Sequence, residues 1–252
     1  MAVVCLTVLM VIRCNKFLIK GYTVLADNPK APAILNEIVA ALKTSNLTAI
    51  TENNEGRVNS KKDEDQIIAW LLKQSQFKDK IKEGELRGFG DMWVMDSSGK
   101  WHVVNIKTSV GSSDNAFSKL GILWALTDLT IEDFRTLKIA NKISDTKFAD
   151  LVVKHKKEID RDYWYLSLDK KDFSKVMVRG VKQIKNWGKN PTNNLQIQWD
   201  REHESEPNTA SFEDTFYNII IDGAFKCWAD KAAQWAGALD YRLKNIKVET
   251  SK

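Results

Sequence analysis

In the stretch "RGFGDMWVMDSSGKWHVVNIKTS", residues 87–109, three side chains have types and spacing suited to phosphate chemistry: Asp91, Asn105 and Lys107. Asp91 heads a short apolar run, Ser97-Ser98-Gly99 supplies a turn, and a second apolar run returns with the asparagine and the lysine. A lysine in a strand that otherwise reads Trp-His-Val-Val-Asn-Ile needs a partner or a task, because burying an ammonium is costly. Strand side chains alternate, so Trp101, Val103, Asn105 and Lys107 share one face, and His102, Val104 and Ile106 share the other. The hairpin brings Asp91, Asn105 and Lys107 to the same end. Two oxygen ligands and an ammonium at one spot suit Mg²⁺, which takes oxygen ligands and keeps waters for a phosphate substrate. The lysine would stabilise phosphate charge or help ionise an attacking water. The competing reading is a turn-adjacent Asp and an ordinary edge-strand Lys. A rival pattern, Asp162 with Asp169-Lys170-Lys171, is spaced too short for a hairpin and reads as a solvated strand exit.

The elements that must hold these residues are mixed α and β. Pro-x-Pro punctuation followed by Ile34, Ile38, Val39 and Leu42 predicts a helix within 28–46. "SKKDEDQIIAWLLKQSQF" predicts a helix from near Ser60, with acids in its first turn and Ile67, Ile68, Leu71 and Leu72 inward. Helices are expected over 115–129, 130–143 and 145–159, and strands over 162–168, 175–181 and 194–200. A long helical stretch, 211–243, has a possible break at Gly223; its Phe212, Phe216, Tyr217, Phe225, Trp228 and Trp235 suit core or dimer packing. No repeat, low-complexity tract or linker divides the chain. The expectation is one domain over 1–252: an N-terminal region (1–56) of unassigned role, a core (57–130), strands and a loop (160–200), and C-terminal helices (211–245).

Bulk properties exclude several classes. The 252 residues are long enough for a sizeable core, and 43% hydrophobic with 28% charged residues is a globular composition. A net charge of +5 admits a nucleic-acid partner without demanding one. Three histidines make a His-built metal site a poor fit, and Cys5, Cys14 and Cys227 form no C-x-x-C pair, which points to a reducing compartment. The apolar run Ala2–Ile12 is too short to span a bilayer and lacks the features of a secretory signal, so a buried strand or helix is expected there. There is no Walker-type or dinucleotide loop and no G-x-S-x-G.

The hairpin resembles the catalytic hairpin of the PD-(D/E)xK nuclease superfamily, and within it the type II restriction endonucleases of the HincII/EcoRV-like branch. A helix bearing Asp63-Glu64-Asp65 precedes Asp91 at about the interval that family uses. A polar loop, "TSVGSSDNAFSKLG", follows the lysine, and "NWGKNPTNNLQIQWD" is similar to that branch's polar loop feeding a short strand of Gln-x-Gln character. The resemblance spans about residues 57–235. It implies an α/β restriction-endonuclease-like core, a mixed central sheet flanked by helices with a helical C-terminal region. It also implies Mg²⁺-dependent hydrolysis of double-stranded DNA at a short palindromic site by a homodimer. A cognate DNA methyltransferase would be a functional partner, with no membrane involved and a cytoplasmic, prokaryotic setting. In the carried-over scheme Asp91 is the principal metal ligand, with Asn105 and the carbonyl of Ile106 beside it. Lys107 positions or activates the water, and Glu64 (or Asp63) is a supporting carboxylate. Two positions depart from the pattern: Gly90 replaces the usual proline, and Asn105 replaces the usual carboxylate, which removes a negative charge. The alternatives are a binding module with a decayed nuclease site and a repair-type nuclease on the same fold.

Sequence reading on DNA needs amides, hydroxyls and cations aimed at base edges and phosphates. "KQIKNWGKNPTNN" supplies Lys185, Asn186, Lys189, Asn190, Asn193 and Asn194, although a plain turn uses the same residue types. Gln196 and Gln198 are expected on one strand face, toward DNA or toward solvent. The resemblance adds Ser112, Ser113, Asn115 and Lys119 as groove contacts; a helix N-cap at Ser113 or Asp114 is the plainer alternative.

Overall fold

A computed structural model describes residues 28, 30–50, 56–84, 89–109, 119–139, 143–190, 194–216, 229–230 and 232–241. It is α/β, with a five-stranded mixed sheet flanked by helices. The strands are β1 (Ile81–Glu83), β2 (Met92–Met95), β3 (Trp101–Ser109), β4 (Tyr163–Asp169) and β5 (Asp172–Gly180), adjacent in that order. All neighbours are antiparallel except β3 and β4, which run parallel with Lys107 opposite Ser167. The crossover between them carries helices α3 (Lys119–Leu126), α4 (Ile131–Thr136) and α5 (Asp145–His155).

The sheet is covered on both faces because its central strands are apolar on both. Val103, Tyr163, Tyr165 and Met177 pack on one side with Leu123, Leu126 and Phe148. Val104, Ile106, Trp164 and Leu166 pack on the other side with α1 (Ala33–Lys43) and α2 (Gly56–Leu72). β4 is buried at six successive positions, as expected for a strand sandwiched between layers.

The β2–β3 turn forms as the sequence suggests. Asp96 Oδ1 accepts from the Ser98 amide at 2.8 Å and the Lys100 amide at 3.1 Å, and Gly99 takes φ +84°, which a side chain would resist. Two glycines shape the other end. A Cβ at Gly84 would lie 2.0 Å from the carbonyl oxygen of Gly90, and one at Gly90 would lie 2.6 Å from Val103 Cγ1. Val103 and the Val104 backbone pack directly against Gly90 and leave no room for a side chain there.

Several expectations are corrected. Helix α2 starts at Gly56, so Asp63, Glu64 and Asp65 lie beyond its first turn and gain little from the helix dipole. Leu72, expected inward, is 45% exposed at the helix end. The 130–143 helix stops at Thr136, where Leu137 caps it and Lys138 turns back with φ +50°. The strand expected over 194–200 ends at Ile197, because Trp199 opens helix α6 (Trp199–His203) and is buried. The polar segment before it is not a plain loop: β6 (Trp187–Asn190) pairs with β7 (Asn194–Ile197) in a separate antiparallel ribbon. Strand β1 carried too little apolar pattern to be anticipated. Phe216 is buried and stacks on Phe212, whereas Trp235, in the helical stretch 232–241, is 68% exposed. The run Ala2–Ile12, the three cysteines, Tyr217, Gly223, Phe225 and Trp228 lie outside the described residues. Among the described residues no helix is long and apolar enough to cross a membrane.

Candidate active site

Strand register assembles the site. Met92 pairs with Val104, so Asp91 falls opposite Asn105, and opposed residues of an antiparallel pair project to the same face. The Asp91 amide donates to Val104 O at 3.0 Å, and the Ile106 amide donates to Asp91 Oδ2 at 2.7 Å. Both bonds fix the carboxylate over β3. Gly84 donates its amide to Asp91 O at 2.8 Å, and the Tyr163 hydroxyl donates to Phe89 O at 3.0 Å, holding the approach to Asp91 from both sides.

The charges around Asp91 form one cluster. Burial pushes the Asp91 carboxyl above its ordinary range, and the Lys107 ammonium, the Ile106 amide and Lys61 pull it back. Glu64 is pushed up to about 7, first by burial and then by the Asp91 charge, with Lys107 and Lys61 opposing. Asp91, Glu64 and Lys107 thus feel one another's charge. Asn105 is half-buried, and its Oδ1 is sealed from solvent with no hydrogen-bond partner. Such an acceptor ordinarily costs stability unless something fills its lone pairs.

Glu64 and Asp63 differ in their partners. Asp63 is fully buried and spent on structure: it accepts from the Ile50 amide at 2.7 Å and from Thr108 Oγ1 at 3.3 Å, and pairs with Lys170 Nζ at 3.0 Å. Lys170, read from sequence as part of a solvated strand exit, is in fact largely buried in this pair. Together they anchor α2 to the ends of β3 and β4. Lys61 is a cation the sequence reading passed over. It lies 3.8 Å from Glu64 and 2.9 Å from Asp65, and its i, i+3 spacing before Glu64 was the available signal.

The residues that could hold a metal at this spot are Asp91 and Glu64 through their carboxylates and Asn105 through its amide oxygen, with the Ile106 carbonyl added by the resemblance. Among the described residues no three His, Cys, Asp or Glu side chains converge as a metal site. The donor set instead mixes carboxylate, amide and backbone oxygens, which suits a hard cation that retains waters. The unpartnered Asn105 oxygen fits such a role.

The expected DNA-contacting residues divide. Ser112, Ser113, Asn115 and Asn193 lie outside the described residues. Lys119 opens α3 and donates to Ile143 O at 2.6 Å, so its ammonium is turned to the 143–144 segment. Lys185 is exposed, and its backbone amide, with that of Asn186, is bound by the buried Glu202 carboxylate. The Asn186 side chain donates to Glu202 at 2.9 Å and to Ser205 at 2.7 Å, a structural task. Lys189, Asn190 and Asn194 belong to the β6–β7 ribbon. Gln196 is buried, at 4% exposure, and Gln198 sits past the strand at the N-cap of α6, half-buried. The two glutamines do not share a strand face. Glu202 is the residue that organises this segment, and an acid between Arg201 and His203 gave no sign of burial.

A cavity of about 430 Å³ lies at the opposite end of the sheet, by the β2–β3 turn and the start of β4. Its polar groups are engaged locally: His102 with Asp96 at 2.7 Å, and Lys182 Nζ with the carbonyls of Ile159 and Arg161 at 2.8 and 2.9 Å. It is separate from the Asp91 cluster.

Comparison of this chain with protein-family profiles, with curated proteins and with solved structures gave no match.

Proposed function

We propose that this protein is a Mg²⁺-dependent phosphodiesterase acting on double-stranded DNA, a restriction-type endonuclease on a PD-(D/E)xK-like core. The observation that carries the reading is the buried, unpartnered Asn105 oxygen set across a hairpin from Asp91, with Lys107 two residues further on. Burial holds Asp91 and Glu64 above their ordinary range, so a cation between them would relieve a cost the fold otherwise bears. Asp91, Asn105, Glu64 and the Ile106 carbonyl would hold the ion. A bound Mg²⁺ would neutralise charge on the phosphate and make its coordinated water easier to ionise.

The chain's own groups have separate tasks. The Ile106 amide keeps Asp91 oriented, which limits the reorganisation needed when substrate arrives. Lys107 carries a fixed positive charge at the site, placed to stabilise an anionic phosphate or to orient the attacking water. Asn105 supplies an oxygen without a charge, so the empty site is less repulsive and the ion is held more weakly than with a carboxylate there. A duplex with two strands calls for two such sites, and the described residues offer one, so action as a homodimer on a palindrome completes the proposal.

A second reading rests on Asn105 itself: a DNA-binding module whose hydrolytic site has decayed. Incubating supercoiled plasmid and long mixed-sequence DNA with Mg²⁺ or with EDTA separates the readings. Discrete Mg²⁺-dependent fragments support restriction, and a smear supports a non-specific or repair-type nuclease. Retarded but intact DNA supports the binding module, and no cutting or binding by folded protein refutes all three.

A further inference from the structure

Helix α2 brings a second lysine to the site. Lys61 is one turn before Glu64 on the same helix face, with Nζ 3.8 Å from the Glu64 carboxylate and 2.9 Å from Asp65. Its side chain is 56% exposed, against 16% for Glu64, so the ammonium stands outside the buried carboxylate. The helix is pinned there by the Asp63–Lys170 pair and by Thr108 of β3, which fixes where Lys61 emerges. Its charge is felt by both Asp91 and Glu64.

Helical i, i+3 and i, i+4 spacing accounts for the Glu64 and Asp65 contacts, and the burial of Glu64 leaves the ammonium at the rim of the site. The pair with Asp65 involves two exposed partners, 56% and 53%, and exposed pairs of this kind are weak. An ammonium so weakly held is readily exchanged for a stronger anion. A phosphodiester is such an anion, and each phosphate neutralised also releases condensed counterions.

We propose that Lys61 is a phosphate-binding residue at the rim of the site, exchanging Asp65 for a non-bridging oxygen of the DNA backbone. The inference rests on the nuclease reading above. Lys107 then serves the phosphate at the carboxylates, and Lys61 serves the backbone where the strand enters, setting its position along α2. This assigns α2 a share of substrate binding besides delivering Glu64.

The test is the salt dependence of binding to a 30-base-pair mixed-sequence duplex, followed by fluorescence anisotropy in EDTA. It compares the unaltered protein with Lys61→Gln, Lys61→Arg, Lys107→Gln and Lys80→Gln. Lys80 is exposed and precedes β1 at the far end of the sheet. Lys61→Gln is expected to weaken binding and to reduce the slope of log K against log salt by about one. Lys61→Arg should retain the slope, and Lys80→Gln should match the unaltered protein. In Mg²⁺ the Lys61→Gln variant should raise KM with kcat little changed, the mark of lost uniform binding. An unchanged slope and KM for Lys61→Gln, with Lys107→Gln still impaired, overturns the role of Lys61 and leaves the nuclease reading intact. No binding or cleavage by the unaltered protein overturns both.

Discussion

Replacing Glu64 by glutamine isolates what the site costs the fold. The carboxyl rises from 4.5 to about 7, chiefly because it is buried and next because Asp91 is near. Since the folded-state value exceeds the unfolded one, the protonated acid is favoured by folding. Its contribution to stability is complete below about pH 4.5 and is lost as pH rises through 7. At roughly 1.4 kcal/mol per pH unit the full penalty on the ionised form is about 3 kcal/mol. Partial exposure of the side chain screens some of that, so about 1–3 kcal/mol is expected. Glutamine keeps the shape and removes the charge. Urea unfolding of both proteins in EDTA across pH 4–9 should give matching stabilities near pH 4 and a growing advantage for Glu64→Gln between pH 4.5 and 7. The difference should level off at about 1–3 kcal/mol above pH 8. Saturating Mg²⁺ should narrow or invert it, because binding only to the native unaltered site stabilises that protein by mass action. A variant no more stable at pH 8.5, or a difference independent of pH, would refute the placement of Glu64 beside Asp91.

Other outcomes follow from the same geometry. Asp63→Ala leaves Lys170 buried without its partner and should cost about 3–5 kcal/mol in chemical denaturation, more than any change at Glu64. Gly84→Ala forces a Cβ against the Gly90 carbonyl and should lower stability by about 1–3 kcal/mol while misplacing Asp91, seen as loss of Mg²⁺ affinity in titration calorimetry. Asn105→Asp adds a carboxylate to the donor set and should tighten Mg²⁺ binding in the same assay. If affinity is unchanged, Asn105 is not a ligand.

The geometry of the hairpin was legible because its signals are local. Alternation from Trp101 to Lys107, a Ser-Ser-Gly turn and an Asp at the strand head suffice to place Asp91 against Asn105, and the register does so. The strand from Tyr163 to Leu168 was legible as an apolar run, and its residues pack on both faces; its parallel pairing with β3 was not. What escaped was set by distant contacts. Nothing near Asp63 announces that Lys170, more than a hundred residues away, holds it in a buried ion pair. After Trp187, strand β6 is Gly, Lys and Asn, poor strand formers, and β7 with the Glu202 carboxylate holds the segment. Gln196 and Gln198 were joined by period-two counting, and the helix opened by buried Trp199 cut the strand between them.

The central claim is that Asp91 and Lys107 act together on a phosphodiester. It is tested most directly by single-turnover cleavage of end-labelled duplex DNA in Mg²⁺ by the unaltered protein, Asp91→Asn and Lys107→Ala, each shown to be folded and to bind DNA. Cleavage that requires Mg²⁺ and falls by at least about a hundredfold in both variants is the expected result. Cleavage that persists in either variant, or needs no divalent ion, would contradict it.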